Sequence, residues 1–357
     1  MLTLKGHRGA VNCLDVSAAE DQLASGADDG CVRLWDLAAG RSTRALVVQT
    51  GAISCVAFGR GASAHHVYVG SACEVVAFDL RAPDVLHTQP IARFAPSRDD
   101  VSALTVHESG DALCAVDDAG DMTLLDTALT RMSTAQLHSN LCVCAAFRPR
   151  SYELCTGGLD GCATRFDARA GAQLSRWDLQ PDPATCPQLV NPRHVHSVDY
   201  SPADGREIAL ALGDGSVELR ETATGGLAAH VAAHRAAASA VRFAPRLSSD
   251  GGADGDAGSV HLISTGDDLQ LRVWRASVAP ESGPATTKRR RGGGGAVDEG
   301  AANDDGAGTA RGHASAALVA VGGWTLPEKP NALAIAGATA CIADTSSGVK
   351  LLRMQPP

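Results

Sequence analysis

The sequence predicts an all-β protein in which one short multi-stranded unit repeats around a closed ring. Three observations carry that prediction. Residues 25–37, SGADDGCVRLWDL, read as a strand ending, a tight acidic turn and a second strand closing on Trp35-Asp36. The spacing of that stretch recurs twice further on. Between the recurrences lie short apolar runs of strand length, each bounded by Gly, Asp, Asn or Ser.

In the first unit Asp29 precedes Trp35 by six residues, Ser25 by ten and His7 by 28. In TGGLDGCATRFDAR, Asp160, Thr156 and His138 precede Phe166 by the same six, ten and 28. In ISTGDDLQLRVW, Asp268 and Ser264 stand six and ten before Trp274, while His234 stands 40 before it. The 12 extra residues fall in RLSSDGGADGDAGS (246–259), whose Gly/Asp/Ser composition is that of a loop.

A Gly-His pair, a Ser/Thr-Gly strand, an Asp-Gly turn and a closing Trp-Asp resemble the WD repeat. The resemblance implies an all-β, seven-bladed WD-repeat β-propeller. It also implies a buried hydrogen-bond chain in each well-kept blade: His7–Ser25–Asp29–Trp35, His138–Thr156–Asp160 and His234–Ser264–Asp268–Trp274. Phe166 lacks the indole donor, so the second chain stops one link short.

The weaker blades keep the rhythm of strand and turn. Residues 52–81 supply AISCVAFG, HVYVGSA and EVVAFDLR; 100–128 supply DVSALTVH, ALCAVDDAG and DMTLLDTA. Residues 194–223 supply HVHSVDYSP, EIALALGDG and SVELRETA, with Arg220 at the aromatic position. The last unit, NALAIAG, TACIADT and GVKLLRM (331–354), has three strands, and LTL at 2–4 stands before the first Gly-His with no blade of its own. The amino-terminal strand is therefore expected beside the carboxy-terminal blade, closing the ring and removing its open edges. Setting aside the 12-residue insertion and residues 277–323 leaves 298 residues. Seven units then average about 43 residues each, within the range of this repeat.

Residues 277–323 are rich in Gly, Ala, Pro and charge, and the expectation is a disordered insert between the third and fourth strands of blade six. The single domain then comprises blades one to six over 1–276 and the final strands over 324–357. The insert carries Lys288, Arg289, Arg290 and Arg291, which read either as a nuclear-import patch or as a solvated charge run. Asp298, Glu299, Asp304 and Asp305 follow closely and partly offset it.

The net charge of −9 argues against direct nucleic-acid binding, and no run of 18 apolar residues offers a membrane span. MLTLKGHRGAV lacks the pattern of a signal peptide, so a nuclear or cytoplasmic protein is expected. Eleven cysteines, an odd number and mostly in apolar runs, read as small core residues. Cys142 and Cys144 share a strand face without a matching pair elsewhere, and His194 and His196 share one without a third ligand. Phosphate-loop, zinc-protease, nucleophile-elbow and dinucleotide motifs are absent. The reading is a protein with no catalytic, cofactor or metal residues.

Two strands end in an Asp-x-Arg turn: Phe78-Asp79-Leu80-Arg81 and Phe166-Asp167-Ala168-Arg169. These resemble the Trp-Asp-x-Arg box of WD-repeat substrate receptors, with Phe for Trp and in blades two and four. The resemblance implies docking, through Asp79, Arg81, Asp167 and Arg169, on the damaged-DNA-binding adaptor of the cullin-4 RING ubiquitin ligase. The chain would then be monomeric within a larger complex. A second reading is a chromatin- or RNA-associated scaffold that uses the basic insert.

Overall fold

The structure, a computed structural model, describes residues 1–96, 99–181, 191–244, 260–278 and 316–354. They form seven antiparallel sheets set around one axis. The first strand of each sheet packs on the first strands of its neighbours: Val11–Val16, Cys55–Phe58, Val101–Val106, Cys142–Phe147, Val195–Tyr200, Ala238–Ala244 and Pro330–Ala336. Six sheets follow as up-and-down meanders from this inner strand outwards. The seventh takes Leu2–Lys5 as its outer strand, antiparallel to Gly348–Arg353 with Leu2 opposite Leu351 and Lys5 opposite Gly348. This is a seven-bladed β-propeller with the expected closure. The described residues contain a single 3-10 turn, Gly61–Ser63, and no α-helix.

Because each sheet twists, its two faces must both be covered, and each blade is covered by the next. Cys13, Leu34 and Leu46 of blade one thus share a core with Ile53, Phe58 and Val69 of blade two. The interface repeats one device. Gly26 and Cys13 meet Ile53 of the next blade, Gly70 and Cys55 meet Val101, and Gly157 and Cys144 meet Val195. A Cβ on Gly157 would stand 2.4 Å from Val195 Cγ1 and 2.7 Å from Cys144 Sγ. Gly157→Ala is therefore expected to destabilise the protein by about 1–3 kcal/mol through overpacking. Urea denaturation checks this, and Val195→Ala in the same chain should recover part of the loss.

Two departures from expectation concern strand limits. The third strand of blade six runs Gln270–Val278 and the fourth Ala316–Thr325, so the insert is shorter at both ends than 277–323. Gly322 and Gly323 look like loop in the sequence, yet they lie at a register shift opposite Val273 and Arg272, where the strand bulges. Blade one also gains a fifth strand. Leu86–His87 leaves blade two and pairs in parallel with Arg41–Val47, Ala45 opposite Leu86. Arg44 holds the chain that leads to this strap by donating to the carbonyls of Leu80 and Ala82. The insertion at 246–259 and Lys288–Arg291 lie outside the described residues.

Candidate interaction face

In a four-stranded meander the first-to-second and third-to-fourth turns open at one end of the ring. Second-to-third turns and links between blades open at the other. The His and Asp of each hydrogen-bond chain lie on the second kind, and both Asp-x-Arg turns on the first.

The chains form in blades one, four and six. His7 Nε2 is 2.7 Å from Ser25 Oγ, its Nδ1 is 3.1 Å from Asp29 Oδ2, and Trp35 Nε1 donates to Ser25 Oγ at 2.8 Å. His234 makes the same contacts with Ser264 and Asp268, each at 2.9 Å, and Trp274 Nε1 donates to Ser264 at 2.9 Å. His138 reaches Thr156 at 2.8 Å and Asp160 at 3.0 Å, while Phe166 has no donor to add. Burial lowers the pKa of all three imidazoles, against the pull of their aspartates. Burial alone would raise the aspartates, but backbone amides and the histidines hold them below their usual value.

Blade five replaces the chain with an ion cluster that the sequence hid. Arg193 Nε donates to Asp214 Oδ2 at 2.9 Å, and its Nη2 meets Glu218 Oε1. Arg220, at the aromatic position, donates from Nε to Glu218 Oε2 at 2.8 Å. Glu218 is 2% exposed. The available signal was Asp214, which stands six residues before Arg220 as Asp29 does before Trp35.

At the opposite end, each turn aspartate caps its own turn: Asp79 Oδ1 accepts the amide of Arg81 at 2.9 Å and Asp167 Oδ1 that of Arg169 at 2.8 Å. The two arginine side chains then differ. Arg81 folds back on Asp79 as a fork, with Nε–Oδ1 3.0 Å and Nη2–Oδ2 2.6 Å, and remains 68% exposed. The guanidinium's hydrogen bonds hold the Asp79 carboxyl well below the usual carboxylate range. Arg169 instead lies 3.8 Å over the Tyr152 ring. Tyr152 stacks on His107 at 3.8 Å, and His107 stands edge-on to Phe147 at 5.3 Å. Arg169 is thus the exposed cap of an aromatic column between blades three and four. Phe78 and Phe166 are buried, 1% and 4% exposed, so Phe for Trp alters the inside of the blade and leaves the turn in place.

Beside Arg81 a groove of about 440 Å³ runs between blades one and two, edged by Asp21, Asp36, Thr43, Arg44 and Leu80. At the far mouth of the ring a second hollow of about 360 Å³ is crossed by the Lys329–Asp267 ion pair at 2.8 Å. Asn12 and Asn331 tie adjacent blades there, Asn331 Nδ2 donating to Val11 O at 2.9 Å. The rings of His194 and His196 stand 6.2 Å apart, with no third metal-ligating side chain grouped with them among the described residues. Cys142 and Cys144 are buried, and burial pushes both thiols up, Cys144 to about 12. All described cysteines are unpaired. One group of potential ligands does come together: His65, His66 and Asp79, whose ligand atoms lie within 4.8 Å of one another. Sequence reasoning missed it, because Asp79 is 13 positions from His66 and only the pairing of their strands, His66 opposite Asp79, joins them.

Blades of this pattern, their hydrogen-bond chains and the ring closure make this a seven-bladed β-propeller whose blades are similar to WD repeats. The WD domain, G-beta repeat family matches residues 1–36, which span the closing strand and most of blade one. The chain is similar to the WD repeat-containing protein 53 homolog of Dictyostelium discoideum, 27% identical over 241 residues. That alignment covers 62% of this chain and 64% of the relative, just under two thirds of the latter's length. Shorter matches join it to subunit I of eukaryotic translation initiation factor 3 from Nematostella vectensis and to human ribosome biogenesis protein BOP1. The first is 32% identical over 83 residues (22% of this chain, 26% of the relative), the second 42% over 57 residues (16% and 8%). No helix among the described residues is long and apolar enough to cross a membrane.

Proposed function

We propose that this propeller is a non-catalytic substrate receptor, docking through Arg81 and Arg169 on the damaged-DNA-binding adaptor of a cullin-4 RING ubiquitin ligase. Another face of the ring holds the substrate. The observation that carries the reading is that both Asp-x-Arg turns open at the same end of the ring, with exposed guanidinium groups. A guanidinium offers a fork of donors to carboxylates and a flat face to rings, and both properties suit a protein interface. At the opposite end the His–Asp pairs are consumed in joining the strands of their own blades.

The test is a pull-down of the adaptor by the wild-type chain and by Arg81→Ala/Arg169→Ala. Loss of both anchors should weaken capture by about thirtyfold or more, as for interface arginines near the centre of a contact. Circular dichroism should show the variant still folded, since both side chains are exposed. Equal capture by the two chains, or none by either, rejects the reading.

A further inference from the structure

The Asp79 carboxylate has two sets of neighbours. On one side is the Arg81 fork. On the other are the imidazoles of His65 and His66, whose ring centroids are 4.2 Å apart at an interplanar angle of 65°. A turn and a strand pairing create this group: His66 opens the second strand of blade two, Asp79 ends the third, and the two residues are direct partners across the sheet. All three side chains are partly exposed, so an ion can reach them from solvent.

We propose that His65, His66 and Asp79 bind a divalent transition-metal ion of the zinc type, which competes with Arg81 for the Asp79 carboxylate. Two imidazoles and one carboxylate are the donor set of three-ligand zinc sites, with a fourth position left to water. Hard ions such as magnesium and calcium prefer all-oxygen shells and are disfavoured here. The Tyr68 hydroxyl lies 3.2 Å from Nδ1 of His66 and orients that ring, as outer-shell partners of metal-bound histidines do.

The competition follows from charge. A guanidinium forked onto Asp79 repels an incoming cation, and a cation on Asp79 weakens the fork. The coupling must be reciprocal: if Arg81 weakens metal binding, metal loosens Arg81 by the same factor. An exposed arginine held against its own turn would thereby be released to reach outward. The metal site itself stands apart from the docking reading. Only the use made of a freed Arg81 rests on it.

The experiment is calorimetric titration of zinc alone into the full chain under reducing conditions, with no adaptor present. The wild type should bind one ion through this site. His65→Ala/His66→Ala should weaken that binding at least about tenfold. Arg81→Ala should tighten it about tenfold by removing the competing charge. His194→Ala/His196→Ala, at the other histidine pair, should leave it unchanged. The proposal is overturned if the wild type takes up no zinc, if the His65/His66 variant binds as the wild type does, or if Arg81→Ala fails to bind more tightly. Because the readout is metal alone, failure here leaves the pull-down result untouched, and the reverse also holds.

Discussion

Glu218→Ala is expected to cost about 3–5 kcal/mol, the largest loss from any single substitution considered for this chain. Glu218 is 2% exposed and is the shared partner of Arg193 and Arg220, each with 17% of its side chain exposed. Its removal leaves two mostly buried guanidinium groups without the carboxylate they share. Arg193 keeps Asp214 and the Leu179 carbonyl, and Arg220 keeps the Gly225 carbonyl, so the blade should weaken rather than fall apart. Arg220→Met should be milder, since Glu218 retains Arg193. Urea midpoints of the two variants decide the matter. A smaller loss for Glu218→Ala than for Arg220→Met would mean that the carboxylate does not organise the cluster.

Acid should destabilise the protein well above the pH at which carboxylates titrate. His7, His138 and His234 have folded pKa values below the ordinary 6.5. As pH falls below 6.5 the unfolded chain takes up protons at these sites and the folded chain does not, so stability declines until each folded pKa is passed. Each histidine contributes a slope of at most about 1.4 kcal/mol per pH unit, and three together about 4. Asp29, Asp160 and Asp268, lowered from 3.8, add a second loss below that value. Asp15 and Asp199 oppose the trend. Burial raises them above 3.8, so the folded chain holds their protons longer as pH rises, and in that window stability falls with increasing pH. Both are half-buried, and each accepts an amide of the next blade's inner strand, from Phe58 and Phe243 at 2.7 and 2.8 Å. Calorimetry should show the melting temperature falling between pH 7.5 and 5.5, with a shallower fall in His138→Gln. A flat profile over that range would show that the imidazoles titrate as in an unfolded chain.

The parts of the fold that were legible in the sequence are those where function of the blade demands fixed residue types at fixed distances. A histidine must reach a hydroxyl and a carboxylate across three strands, so intervals of six, ten and 28 recur wherever the chain of bonds is kept. Blade five solves the same problem with arginine and glutamate. Arg193 sits one position beyond the histidine's place and Glu218 belongs to no pattern, so periodicity could not point to them. The strap at Leu86–His87 was equally hidden, because two residues pairing in parallel have no alternation to show. The Asp-x-Arg turns were visible as letters, but not the difference between them. Whether an arginine folds onto its own aspartate or onto a tyrosine 17 positions earlier depends on which turns the ring brings side by side.

The way the ring closes also sets a timetable. Leu2–Lys5 can join its sheet only when Gly348–Arg353 exists, a separation of nearly the whole chain. A ribosome adding roughly 5–20 residues each second needs on the order of half a minute to cover that distance. Throughout that interval the inner strand of blade one has Cys55–Phe58 on one side but lacks Pro330–Ala336 on the other, and the apolar surface of Val11, Leu23 and Trp35 lies open. Blade one, complete in its own strands by residue 87, has one face covered only when the last blade forms. During synthesis this face of blade one therefore depends on whatever shields a nascent chain.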